Sequence, residues 1–553
     1  MADPDSRTWE TRMAHRYLFL LKIPAAILMI VAADQLLLNG EMGSWFGGLA
    51  LGWIGLLLAV RPALRRPASL VALAIAAGFA LVLAYDPWPL GWALFWSALS
   101  IAVLMPRIGR FDDAGRWGLR LLAHGASGPL TPLLDLVRLS RLGPQRGGPA
   151  LANLLTLVVL PLAMTGLFVA LFASANPIIA ETLGRVRLPW FGEVVFWGMT
   201  LVVVWPSLRP ARWATRIATL VPRTGMPLPS IPAASLRFSL LLFNLVFAVQ
   251  NGLDLAFLWS GAPLPKGMTL ADYAHRGAYP LIATALLAGL FVLIALRPGS
   301  ASAANPAIRR LVVLWVAQNL LLVASSILRT LDYVEAYSLT AFRIAALAWM
   351  GLVAIGLALI CWRMLAGRSA AWLVNANALA AVLVLTAASI VDLDASAAAW
   401  NVRHAREVGG RGVQLDLCYL SRSGSSSLVS LVELERRPLQ PGFRDRVRFV
   451  RDLQLRMLAD AQADWRSWTW RGAQRLATAR RMLGPNPPAP AALPPGAFRD
   501  CDGSVRFPEP PAEPAPTPAT AADAAEAAAQ ATQAAVANAT ANATPPLTGA
   551  TTR

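Results

Sequence analysis

Long apolar runs, cut by short polar stretches, organise this chain as far as residue 391. Eleven runs read as helices: 18–38, 44–60, 68–85, 90–105, 151–174, 189–205, 238–260, 279–296, 311–329, 342–362 and 372–391. Each approaches the roughly 20 mostly apolar residues that a helix needs to cross a bilayer. The runs at 44–60, 90–105 and 189–205 are short. Trp45, Trp88, Trp92, Trp190 and Trp205 flank or enter them, and Trp favours headgroup depth. The pattern predicts an all-α fold, a polytopic transmembrane helix bundle of eleven helices. A small external C-terminal region and a disordered Pro/Ala-rich tail follow it.

Composition agrees. The 553 residues are 56% hydrophobic and 14% charged, with a mean hydropathy of +0.51, whereas soluble domains carry about 25% charged residues. Such a chain cannot cover a water-facing surface. The net charge of +18 raises the question of nucleic acid, but the distribution of the charge answers it. After residue 391, 19 Arg face 16 Asp and Glu, so most of the excess belongs to the bundle. There, twenty-three arginines fall in one alternate set of connections, against Arg185, Arg187, Lys266 and Arg276 in the other. Basic residues accumulate on the cytoplasmic side, so the expected topology has the N-terminus in the cytoplasm and the C-terminus external. The expected location is the bacterial cytoplasmic membrane, and the expected partners are the lipid bilayer and, through the C-terminal region, other envelope proteins, with no nucleic acid.

Four segments result: a cytoplasmic leader (1–17), the bundle (18–391), an external, partly helical region (392–483) and the tail (484–553). The stretch 444–483 is dense in helix formers and arginine. The tail lacks the large apolar residues that would offset its ordering entropy. In the long connection at 106–150, Leu130, Leu133, Leu134 and Val137 share helical spacing. They mark either a basic amphipathic helix on anionic headgroups or a linker helix packed on the bundle. Cys418 and Cys501 can pair or remain as thiols, since distance is not readable from sequence.

Ionisable residues inside spans are costly and point to function. Asp34, Glu193, Asp254, Arg329 and Arg343 all fall toward the outer ends of their runs, and Glu335 joins them in the connection "TLDYVEAYSLTA". The seventh run is the most polar, with Asn244, Gln250, Asn251 and Asp254, and the ninth carries Gln318, Asn319, Ser325 and Ser326. Two readings follow. One is an outward-facing polar, substrate-binding cavity with Asp254 and Glu193 near Arg329 or Arg343. The other is interhelical hydrogen bonding with charges at interfacial depth. Catalytic motifs are missing: the sequence has no HExxH, CxxC, GxSxG or phosphate-binding loop. His15, His124, His275 and His404 are widely separated, so no catalytic residue, metal or cofactor is assigned.

The eleventh run ends in "VDLDASAAAWNVRHA" (391–405). Asp392, Asp394 and His404 admit a metal reading. However, residues two apart on a helix diverge, and no second ligand cluster completes a shell. The stretch reads better as a membrane-edge motif in which Asp394 and Asn401 cap a helix and dock the external region.

Three segments together resemble a family. They are "LFASANPII" (171–179), "DYVEAYSLTAFRIAALAWMG" (332–351), and "DLDASAAAWNVRHA" followed by "LDLCYLSRSGSSSLVSLVEL" (415–434). They resemble the bacterial membrane proteins grouped as domain of unknown function 4173, related to group 4153. Tyr333, Tyr337, Leu339, Thr340 and Arg343 match one motif, with Ser338 in place of its usual glycine. Asp392, Asp394, Ala395, Ala398 and Asn401 match a second. Leu415, Asp416, Tyr419, Leu420 and Gly424 match a third, with Ser423 where it has leucine. The resemblance implies a polytopic membrane protein and assigns no activity. The resulting expectation is a transport-like or envelope-associated protein. Its alternatives are a membrane-embedded enzyme acting on a lipid-linked substrate, or an envelope scaffold or sensor.

Overall fold

Helices begin where proline or a capping side chain closes a polar connection. Pro67 and Pro89 open two of them, where a missing N–H costs nothing. Asn305, Thr340 and Ser369 cap three more by accepting from backbone N–H groups of the first turn. The computed structural model describes residues 21–37, 42–140, 190–220, 232–259, 305–508 and 521–541, with isolated positions elsewhere. The leader, most of the expected spans at 151–174 and 279–296, and Asn176-Pro177 lie outside the described residues.

In chain order the first helices are α1 (Lys22–Leu37), α2 (Trp45–Val60), α3 (Pro67–Tyr85), α4 (Pro89–Ile108), α5 (Ala114–Ala126), α6 (Leu130–Ser140), α7 (Phe191–Leu208) and α8 (Arg212–Leu220). Next come α9 (Ala233–Asp254), with a π-helical turn at Leu255–Trp259, α10 (Pro306–Tyr337), α11 (Ala341–Leu365) and α12 (Ala370–Ile390). The C-terminal region holds α13 (Leu393–His404), α14 (Leu417–Arg422), α15 (Leu428–Glu435), α16 (Pro441–Ala463) and α17 (Trp470–Leu483). All of these belong to one unit, residues 1–490 with 501–503. A second unit, residues 491–500 and 504–553, contains a two-stranded antiparallel hairpin pairing Phe498 with Arg506 and an Ala-rich helix at Ala521–Ala541.

Among the described residues, seven helices are long and apolar enough to cross a membrane. Ile27, Leu28, Val71, Ile75, Leu81 and Phe342 are exposed, an apolar surface that suits lipid and not water. Since lipid is as apolar as leucine, close packing must hold the helices together. One core joins α1–α4 and α7 around Trp53, Phe95, Leu57 and Ala80. A second joins α9, α10 and α11 around Leu240, Trp315 and Leu357. A Cβ at Gly47 would come within 2.5 Å of the Ala80 carbonyl and the Ala84 side chain, so glycine there sets how closely α2 and α3 approach.

Two expectations change. The ninth span, expected over 311–329, is a helix of 32 residues reaching Tyr337, about 48 Å at 1.5 Å per residue. "TLDYVEAY" contains no helix breaker, so the helix leaves the apolar layer without ending until Ser338. The arginine-dense 444–483 stretch forms two helices. The first ends at Ala463, and Thr469 starts α17 by accepting from the Gly472 N–H at 3.0 Å.

The C-terminal region sits on one end of the bundle. The Ser44 N–H donates to the Trp468 carbonyl (2.8 Å), Trp45 Nε1 to the Arg466 carbonyl (2.7 Å) and the Tyr85 hydroxyl to Gln474 (3.1 Å). These contacts fall on the connections that are poor in arginine. Its own cores are built from Ala398, Leu420, Leu431, Val447 and Val450, and from Leu428, Leu458 and Leu476. Cys418 and Cys501 are disulfide-bonded, their Cα atoms 4.9 Å apart.

Candidate functional site

The polar residues of α9 and α10 face each other along one seam. Asn244 donates to the Leu311 carbonyl (3.1 Å), and Gln318 donates back to Asn244 Oδ1 (2.7 Å). Asn251 donates to the Gln318 carbonyl (3.2 Å), and Trp259 to Ser325 (3.2 Å). Partner numbers rise together on both helices, so the two run parallel. Asn319 and Ser326 bond the carbonyls four residues earlier on their own helix.

At the end of this seam Arg329 forms an ion pair with Asp254. The side chains are 8% and 3% exposed. Gln250 donates to the same carboxylate oxygen, Oδ1, at 3.1 Å. Burying two charges costs several kcal/mol per ion unless every lone pair is used, and here some are unused. Asp254 Oδ2, Asn251 Oδ1 and Gln318 Oε1 are buried without a hydrogen-bond partner among the described residues. These three are acceptors, each able to take a donor such as water, a hydroxyl, an ammonium or a proton. The π-helical turn starts directly after Asp254, and such turns frequently mark functional sites.

Of the expected outer cluster, the structure brings Asp254 and Arg329 together and gives the others different work. Asp34 accepts from Trp197 Nε1 at 2.6 Å. Glu193, third residue of α7, reaches back to the helix start and accepts from the Trp190 N–H at 3.1 Å. Arg343 lies over the Tyr333 ring at 4.2 Å and donates to the carbonyls of Tyr337 and Ser338. Glu335 is exposed near the end of α10.

The membrane-edge motif holds the C-terminal region to the bundle. Asp392, rather than Asp394, caps α13, accepting from the Ala395 N–H at 2.8 Å. Asp392 also accepts from Ser426 (3.0 Å) and pairs with Arg475. Asn401, buried, clasps one residue in both directions: its Oδ1 accepts from the Leu339 N–H at 2.7 Å and its Nδ2 donates to the Leu339 carbonyl at 2.8 Å. The Tyr419 hydroxyl accepts from the Ala341 N–H (3.3 Å) and donates to Asp394 (3.4 Å). Burial, and then the neighbouring Asp394 carboxylate, raise this phenol above its ordinary range. Arg471 lies over the Tyr85 ring at 4.8 Å and bonds Asp86 at 2.7 Å. Sequence reasoning missed Tyr85, Asp86, Arg471 and Arg475, whose partners are remote in the chain. Among the described residues no group of three or more His, Cys, Asp or Glu could hold a metal. His404 stacks instead on Trp400 at 4.2 Å.

Fold and site together define a multi-pass helical membrane protein. The chain belongs to the family described as Domain of unknown function (DUF4153), whose model matches residues 69–434. That match runs from α3 to α15 and contains the seam, Asp392–Asn401 and Tyr419; Arg471 and Arg475 lie beyond it. No match was found among curated proteins or among solved structures.

Proposed function

We propose that this protein is a transport-like protein of the bacterial inner membrane that handles a polar, hydrogen-bond-donating solute or a proton at the seam between α9 and α10. One observation carries the reading. The Asp254–Arg329 pair is buried among membrane helices, with unfilled acceptor oxygens on Asp254 and Asn251. Open acceptors beside a buried ion pair are where a donating solute could bind. The asymmetry of basic residues supports an orientation with the N-terminus in the cytoplasm and the C-terminal region outside. The motifs at Tyr333–Arg343 and Asp392–Asn401 support a finer placement in group 4173. A second reading, an envelope scaffold that engages other envelope proteins, rests on the fixed seating of the C-terminal region through Asn401, Arg471 and Arg475.

Water access tests the first reading. In a Cys361→Ala background, Gln250→Cys is expected to react with a membrane-impermeant thiol reagent added from the side of the C-terminal region. Asp254→Asn combined with Arg329→Gln should preserve folding, judged by the unfolding midpoint, and reproduce the phenotype of deleting the gene. A seam that stays unlabelled from both sides, with the double variant fully active, overturns the transport reading and leaves the scaffold.

A further inference from the structure

A cavity of about 860 Å³ lies at the arginine-rich end of the bundle, where α4, α6, α7 and α8 meet. Arg107, Arg209, Arg212 and Arg216 line it, with Asp135 as the facing carboxylate and Trp213 at its wall. Asp135 is already committed: it pairs with Arg209 at 3.0 Å and accepts from Trp205 Nε1 at 3.1 Å. Arg107 is fixed by donating to the Pro210 carbonyl at 2.6 Å. Arg212 and Arg216, both exposed, have no carboxylate partner among the described residues. They stand four apart on α8, a spacing at which like charges repel. The cavity also takes in Ala211, Arg212 and Trp213, the start of α8, where N–H groups lack helical partners and favour an anion.

The surplus of positive charge is felt nearby. His124 in α5 is 1% exposed, and burial, then Arg61 and Arg107, push its pKa down to about 4. Burial and Arg107 lower Arg61 itself to about 10. On α6, Thr131 and Asp135 line the cavity and are buried, Leu134 at its edge is 48% exposed, and Leu130 and Leu133 beside it are 52% and 63% exposed; Trp213 across the cavity is 41% exposed. Such helices lie at the headgroup boundary.

We propose that this cavity binds a phosphate-bearing anion, carried by a lipid headgroup or as a free phosphate, with Arg107, Arg212 and Arg216 as its donors. Guanidinium forks match phosphate oxygens in pairs, and one anion offsets the repulsion between Arg212 and Arg216.

The test uses the purified full-length chain in neutral detergent. Native mass spectrometry counts bound phosphatidylglycerol against phosphatidylcholine, and the unfolding midpoint is followed with each lipid and with inorganic phosphate. Preferential retention of phosphatidylglycerol identifies the lipid source, and a midpoint raised by inorganic phosphate alone identifies the free one. In either case Arg212→Gln with Arg216→Gln should weaken binding about tenfold or more, the scale of losing one charge-assisted hydrogen bond. Arg65→Gln with Arg66→Gln, exposed on the same end but outside the cavity, should leave it unchanged. Arg216→Gln alone serves if the double variant does not fold. Neither ligand being bound, or equal losses in the cavity and control variants, overturns the proposal.

Discussion

Two buried arginines show how differently this chain treats the same chemistry. Arg451 in the C-terminal region is fully buried. It pairs with Glu435, donates from Nε to Asp452 at 2.8 Å and reaches the Pro488 carbonyl at 2.7 Å. Glu435 also takes Arg448 at 2.8 Å. In the bundle, Arg329 meets Asp254, whose second oxygen has no hydrogen-bond partner among the described residues. An unfilled acceptor costs more among membrane helices than near water. The complete set therefore stands where only structure is needed, and the incomplete one where structure alone gives no reason for it. On this contrast, the C-terminal region should respond to damage as a stability element while the seam keeps its form.

The largest effect should come from opening the Cys418–Cys501 bond, which links residues 83 apart. Chain entropy assigns a loop of that size about 4–5 kcal/mol. Reduction, or Cys418→Ser with Cys501→Ser, should lower the unfolding midpoint and admit protease into 392–490. Labelling of Gln250→Cys in the seam should stay unchanged. If both regions loosened together, the contrast between them would be lost.

Next is Arg451→Met. Removing Arg451 leaves the half-buried Asp452 without its cation and Glu435 with Arg448 alone, a loss of about 3 kcal/mol. Limited proteolysis of the full chain should again report on 392–490. The neutral pair of Asp254→Asn with Arg329→Gln should cost clearly less, because no charge is then stranded. A larger loss from the seam pair would reverse the assignment of roles.

These tests bear on contacts that sequence shows unevenly. The spans at 68–85 and 90–105 are nearly the helices Pro67–Tyr85 and Pro89–Ile108, because uninterrupted apolar runs opened by proline leave little choice. Hydropathy registered only the apolar part of α10, since it does not sense a helix that continues into polar residues. A cap in this stretch is a local feature and is legible, but sequence alone puts it at Asp394, two residues after the Asp392 that accepts from the Ala395 N–H. The partner of Arg329 is 75 residues away, and that of Arg471 on α3 is 385 away; such pairings follow from how helices assemble, which no local pattern carries. The two cysteines stayed ambiguous for the same reason. Only the fold brings their Cα atoms to 4.9 Å.

The smallest effect concerns the joint between the two regions. Ser338 ends α10 with φ 67° and ψ 166°, a region that is essentially open to glycine alone and costs other residues about 1–3 kcal/mol. It is the one non-glycine residue with positive φ among the described residues, and it stands where the resembling family has glycine. The surroundings hold it there: Asn401 clasps both backbone groups of Leu339, and Arg343 donates to the carbonyls of Tyr337 and Ser338. Ser338→Gly should remove the strain. Glycine's greater freedom in the unfolded chain returns roughly 0.5–1 kcal/mol of that gain, leaving a net stabilisation of about 1 kcal/mol, read as a small rise in the unfolding midpoint. Ser338→Ala keeps the Cβ and should show no rise. If serine and alanine were both better than glycine, the backbone would not be strained, and the hold of Asn401 on Leu339 would be ordinary docking rather than a clamp between bundle and C-terminal region.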